Sequence, residues 1–261
     1  MQDQLYRGKV AIVTGAAQGI GAAVVQALGR QGAIVAALDI QAERLQAAAL
    51  QYRVEGLAVH AYPVDMRSSS RINEVVGQIE AELGPVAVLV NAAGILHMSA
   101  ICAMSDEDWE NTFAVNTHGP FYLSRAVAQR MIPRRSGAIV TVGSNAAEVP
   151  RLQMAAYAAS KAAVGHFTKC LGLELAEYGI RCNIVSPGST DTAMQRQLWQ
   201  DESDVQKVIA GSLPGYRTGI PLGRIADAED IAASVLFLLS PGARHITMHN
   251  LCVDGGATLG I

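Results

Sequence analysis

The sequence predicts an α/β fold: a doubly wound parallel sheet of about seven strands with helices on both faces. Three observations carry this. Short apolar runs alternate with helix-like segments almost from end to end. Several of the runs, such as Val10-Ala11-Ile12-Val13 and Val86-Ala87-Val88-Leu89-Val90, are apolar at every position, which suits strands covered on both faces. The first run also ends in a glycine-rich turn that opens a helical segment.

Taken in order, the strands are expected at 9–14, 33–38, 57–62, 86–90, 137–143, 180–186 and 247–252. The helices are expected near 19–31, 41–54, 68–83, 106–132, 155–177 and 227–239. Residues 189–222 break the alternation: the run is polar and helix-broken, with Gly211, Pro214, Gly215, Gly219 and Pro221 late in it. A long irregular segment just after a strand's carboxyl end reads as a substrate loop rather than a linker. With no repeat and no low-complexity tract, residues 1–261 are expected to form one dinucleotide-binding and catalytic domain.

Bulk properties narrow the function. Half of the 261 residues are hydrophobic and 16% are charged, so disorder is not expected. Twenty basic against 23 acidic residues give a net charge of −3, with no basic cluster to suggest nucleic acid or an anionic membrane. Met1 to Lys9 is polar and leads straight into the first strand, and no apolar run reaches membrane-spanning length, so a cytoplasmic protein is expected. The four cysteines, Cys102, Cys170, Cys182 and Cys252, are scattered and read as small reduced core residues. No histidine pair has ligand spacing, and no metal site is expected.

The first turn runs Thr14-Gly15-Ala16-Ala17-Gln18-Gly19-Ile20-Gly21. Glycines there let the backbone approach a pyrophosphate, and the helix that follows offers free N–H groups. Asp39 ends the second strand, 18 residues after Gly21. A carboxylate at that point accepts from ribose hydroxyls and repels a 2′-phosphate, which favours NAD over NADP. The fold is therefore Rossmann-like, with Gly15, Gln18, Gly19, Ile20, Gly21 and Asp39 on the cofactor.

Tyr157 and Lys161 are four residues apart on an expected helix and share its face, and Ser144 ends the preceding strand. A tyrosine with a pKa near ~10 is almost wholly protonated at neutral pH, and a neighbouring cation stabilises its phenolate. The phenolate can then take an alcohol proton while Ser144 holds the substrate oxygen. Asn116, on the 106–132 helix, is a candidate for a proton relay through water.

Together these residues resemble the short-chain dehydrogenase/reductase family, over essentially the whole chain. The matching pieces are the Thr14–Gly21 loop, Asp65, Asn91-Ala92-Ala93-Gly94, Asn116, Ser144, Tyr157, Lys161 and Pro187-Gly188 leading to Thr192. The resemblance implies that Asp65 and Met66 meet the adenine, and that Asn91 and Gly94 shape the floor under the cofactor. It also implies that Thr190 and Thr192, after Pro187 and Gly188, hold the nicotinamide carboxamide, and that the protein is a homotetramer.

Further segments resemble the branch of that family that acts on cyclohexadiene carboxylates in siderophore biosynthesis, notably Arg181-Cys182-Asn183, Ser189-Thr190-Asp191-Thr192 and Met194-Gln195-Arg196. His97 and Asn145 depart from the branch, which has arginine and aspartate there. The resemblance implies NAD-dependent oxidation of the C3 alcohol of a 2,3-dihydro-2,3-dihydroxybenzoate-type substrate, with aromatisation drawing the reaction forward. The substrate would lie among Ser144, Arg151, Met154, Met194, Gln195 and Arg196, with Arg151 or Arg196 on its carboxylate and His97 as the next candidate. The alternatives are a 2,3-dihydro-3-hydroxyanthranilate substrate, another NAD-dependent alcohol dehydrogenase, and a non-catalytic NAD-binding module, against which the retained Ser144, Tyr157 and Lys161 argue.

Overall fold

The computed structural model describes residues 4–199, 201 and 203–260. Positions 1–3, 200, 202 and 261 lie outside them, among them the start of the Met1 to Lys9 stretch, two positions of the 189–222 segment and the last residue of the expected 1–261 unit.

The chain alternates β1 (Val10–Thr14), α1 (Gly19–Arg30), β2 (Ile34–Asp39), α2 (Ala42–Val54), β3 (Val59–Pro63), α3 (Ser69–Leu83) and β4 (Val86–Asn91). It continues through α4 (Asp106–Phe113), α5 (Gly119–Arg134), β5 (Gly137–Val142), α6 (Ala155–Leu175) and β6 (Ile180–Pro187). The last elements are α7 (Ala193–Arg196), α8 (Ser203–Ala210), α9 (Ala228–Leu239) and β7 (Asn250–Val253). All strand pairs are parallel, in the order β3-β2-β1-β4-β5-β6-β7.

Alternation along each strand splits the core into two layers. From β1, Ala11 and Val13 join Val24 and Leu28 of α1, Leu45 of α2 and Val235 of α9 on one face. Val10 and Ile12 join Ile72 of α3, Leu123 of α5 and Leu175 of α6 on the other. Each fully buried Leu or Ile stabilises the fold by roughly 1.5–3 kcal/mol, so both faces hold the sheet. Chain direction across the sheet reverses between β1 and β4, and the crevice beyond their carboxyl ends is where such a sheet binds its ligand.

Three expectations are corrected. The helix expected at 106–132 is two helices, α4 and α5, joined by a π turn over Ala114–His118, and α5 runs on past Pro133 to Arg134. A π turn takes one extra residue into the helix, a local shift of phase that the apolar pattern of so short a stretch does not single out. The 189–222 segment holds the short helices α7 and α8: Thr192 caps α7 by accepting from the Gln195 N–H at 3.3 Å. Of the cysteines, Cys182 is buried, Cys252 is half-buried, and Cys102 and Cys170 are exposed, so only the first is a core residue.

Candidate active site

The crevice begins where Thr14 stitches two strands together, its hydroxyl accepting from the N–H groups of Ala92 and Ala93, both at 3.0 Å. Gly15 follows at φ +64°, so close to the same segment that a Cβ on it would lie 2.9 Å from the Ala93 Cα. At Gly21 a Cβ would lie 2.1 Å from the Gly15 carbonyl oxygen, so only glycine lets α1 start this close to the loop. No side chain caps α1, which leaves its first N–H groups for an anion in the crevice.

Asp39 is buried and its two oxygens accept separately, from Ala17 N–H at 3.1 Å and Gln41 N–H at 2.9 Å. Each oxygen keeps a further acceptor site. Gln18, Gly19, Ile20, Asp39, Asp65, Met66, Ala92, Ala93, Gly94 and Thr192 line this half of the crevice. Arg67 grips the Asp65 carboxylate with Nε and Nη2, at 2.7 Å for the shortest bond, and holds its pKa below the ordinary carboxylate range. Asn91 turns away into the core, donating to Ser124 at 3.0 Å and Thr141 at 3.4 Å, and the floor is formed by Ala92–Gly94.

The other half adjoins it at Ile20, Ala92, Gly94, Thr192 and Met194. Here β5 delivers Ser144 just past its end and α6 presents Tyr157 and Lys161 one turn apart. The Ser144 hydroxyl accepts from Ala146 N–H at 3.1 Å. Burial pushes the Tyr157 phenol up, and its hydrogen bond with Ser144 pulls it partly back. The Lys161 ammonium lies 5.8 Å from the Tyr157 ring centre and donates to the Val142 carbonyl at 2.9 Å. Burial lowers its pKa to about 8.

The π turn places Asn116 beneath this centre. Its amide donates to Ile95 O and Ser160 Oγ, both at 3.0 Å, and accepts from Ile95 N–H at 2.9 Å. Asn116 thereby fixes the segment after Gly94 against α6.

A family model described as short chain dehydrogenase matches residues 9–203. The chain belongs to the short-chain dehydrogenase family. The 2,3-dihydro-2,3-dihydroxybenzoate dehydrogenase of Bacillus subtilis is 59% identical over 261 residues, covering 100% of both chains. The enzyme of the same name from Escherichia coli is 43% identical over 260 residues, covering 98% of this chain and 99% of its own. A solved gluconate 5-dehydrogenase from Burkholderia cenocepacia, in complex with NADP and tartrate, superposes with a TM-score of 0.91 at 30% identity, covering 99% of each chain.

As a short-chain dehydrogenase, the protein is an oxidoreductase whose crevice takes a nicotinamide dinucleotide, and the glycine cradle and uncapped α1 fit that group. Among the described residues no helix is long and apolar enough to cross a membrane. Of the residues expected around the substrate, Ser144, Arg151, Met154, Met194 and Gln195 line the triad half of the crevice. Arg196 does not; it is exposed and doubly bonded to Asp191, at 2.6 and 2.7 Å. His97 also stands outside that lining, 3.0 Å from the Asp108 carboxylate. A further cation does line it, Arg217, which no spacing or motif marks. The glycines bracketing it, Gly211 and Gly219, are the available signal.

Proposed function

We propose that this dehydrogenase oxidises the C3 alcohol of 2,3-dihydro-2,3-dihydroxybenzoate with NAD+, giving 2,3-dihydroxybenzoate. The observation that carries this reading is the pairing of Ser144, Tyr157 and Lys161 with an unengaged cation in one cleft. Arg151 lines that cleft half-buried, and among the described residues its side chain has no hydrogen-bond partner. A half-buried guanidinium left open invites a carboxylate, which it can hold by two parallel bonds. The full-length identity to the Bacillus subtilis enzyme supports the same substrate.

The cofactor, when bound, supplies the acceptor for the hydride leaving C3. Ser144 holds the substrate oxygen, and the Tyr157 oxygen takes the hydroxyl proton as the C3 carbonyl forms. Lys161, held on the Val142 carbonyl, keeps positive charge near the phenolate. Asn116 has its side chain committed to Ile95 and Ser160, so we read it as positioning Gly94 and α6, with any proton relay passing through water beside it. Loss of the C2 hydrogen as a proton then aromatises the ring, which makes the oxidation effectively one-way.

NAD is proposed over NADP because Asp39 sets a buried negative charge where a 2′-phosphate would lie. Arg44, the nearest cation in sequence, donates to the Gln18 side-chain Oε1 at 2.5 Å. We also propose a homotetramer, as the family resemblance implies; Trp109 on α4, Phe121 on α5 and Leu173 on α6 leave apolar surface exposed on neighbouring helices, which supports an interface there. A cytoplasmic location is part of the same reading.

The test is a substrate panel with NAD+: the dihydroxy acid, its 2-amino counterpart and simple cyclic alcohols, followed by NADH absorbance. The dihydroxy acid should have the highest kcat/KM. Faster turnover of the amino acid analogue would transfer the assignment to that substrate.

A further inference from the structure

We infer that Arg217 is the second arm of a carboxylate clamp whose first arm is Arg151. This deepens the function proposed above and rests on it for the identity of the carboxylate.

The two arginines reach one cleft from segments far apart in sequence, Arg151 from the loop between β5 and α6 and Arg217 from the strap after α8. The strap is tightly closed. Ser212 and Arg217 exchange backbone hydrogen bonds, both at 2.9 Å. Gly211 and Gly219 take φ of +85° and +84°, and a Cβ on either would lie 2.5 Å from a carbonyl oxygen, that of Arg217 or of Ile209. Backbone held in this way aims a side chain rather than letting it wander.

Two like charges in one half-buried cleft repel each other, and each gains from negative charge placed between them. Arg217 is near enough to Arg151 to disfavour its charged form, adding to the effect of burial. Among the described residues neither side chain has a hydrogen-bond partner. Asp254 acts on Arg151 by charge but makes no hydrogen bond to it: its oxygens accept from Thr258 Oγ1 at 2.6 Å, Gly256 N–H at 2.9 Å and Asn145 Nδ2 at 3.3 Å, so one negative charge faces two guanidinium groups whose donors stay open. Other arginines of this chain spend their charge on a carboxylate within the fold, as Arg67 does on Asp65 and Arg196 on Asp191. What these open guanidinium donors fit is an anion from solution, small enough to share the cleft with Ser144 and Tyr157. A ring carboxylate meets that description, and two guanidinium groups on it fix the ring plane as well as its distance.

Calorimetry with benzoate and steady-state kinetics on the dihydroxy acid and its methyl ester test this together, using the full chain and the variants Arg217→Gln and Arg217→Lys. Benzoate affinity should fall about 10- to 100-fold in Arg217→Gln, the scale of a lost charged hydrogen bond, and recover in part in Arg217→Lys. The preference for acid over ester should shrink by a similar factor, chiefly through KM. Equal losses on acid and ester, or benzoate binding unchanged in Arg217→Gln, would overturn the clamp. If the unmodified enzyme binds benzoate through Arg217 yet does not oxidise the acid, the clamp stands and the substrate reading falls.

Discussion

Lys161 donates to the Val142 carbonyl at 2.9 Å from a position 5% exposed, and burial holds its pKa at about 8 instead of 10.5. Below pH 8 the amine is charged in both folded and unfolded chains, and its burial costs about 3 kcal/mol. As pH rises from 8 toward 10.5 the unfolded chain binds more protons than the folded one, so stability rises with pH in that window. Replacing Lys161 with Met removes the burial cost and the charge-assisted bond to Val142, for a net gain of about 0–1.5 kcal/mol at neutral pH. Denaturant melts should show that gain shrinking above pH 8, with activity lost throughout. A Met variant destabilised at pH 7 contradicts this account of Lys161.

Tyr157→Phe should lower kcat by on the order of 10²–10⁴-fold, because the phenol oxygen moves the proton while the ring only packs. NADH affinity, read by fluorescence, should change little. Retention of more than a tenth of the activity would assign the base elsewhere.

Asp39→Ala should cut the ratio of kcat/KM for NAD+ over NADP+ by about tenfold or more, by removing a fixed negative charge. It also leaves the Ala17 and Gln41 N–H groups without their acceptor, so a stability loss of roughly 1–3 kcal/mol should accompany the change. An unchanged ratio refutes the role given to this carboxylate.

Gly21→Ala should abolish NADH binding, since the added methyl would sit 2.1 Å from the Gly15 carbonyl oxygen and must force the loop and α1 apart. Titration of NADH fluorescence decides it; ordinary affinity in this variant would mean that the loop is not the pyrophosphate cradle.

Much of this was open to sequence reading, for identifiable reasons. The strands and the two faces of the core follow from uniformly apolar runs and strand alternation, both local signals. Gly15, Gly21 and Asp39 were legible because their spacing is tied to one strand–turn–helix unit, as were Tyr157 and Lys161 on one helix face. What escaped depends on contacts between distant segments. The π turn that aims Asn116 shifts the helix by a single residue, too small a change for the apolar pattern to mark. Asn91 carries the family's motif, yet its side chain packs on Ser124 and Thr141 rather than lining the crevice. Arg196 and Arg217 look alike in sequence, and only the bond of the former to Asp191 separates an occupied guanidinium from an open one.

The central claim is that hydride leaves C3 while Tyr157 takes the proton from the oxygen on that carbon. Oxidation of 2,3-dihydro-2,3-dihydroxybenzoate carrying deuterium at C3, followed by mass spectrometry of both products, tests it most directly. The account predicts one deuterium in each reduced cofactor and none in the 2,3-dihydroxybenzoate. Unlabelled reduced cofactor, with the deuterium lost to water or kept on the ring, would contradict it.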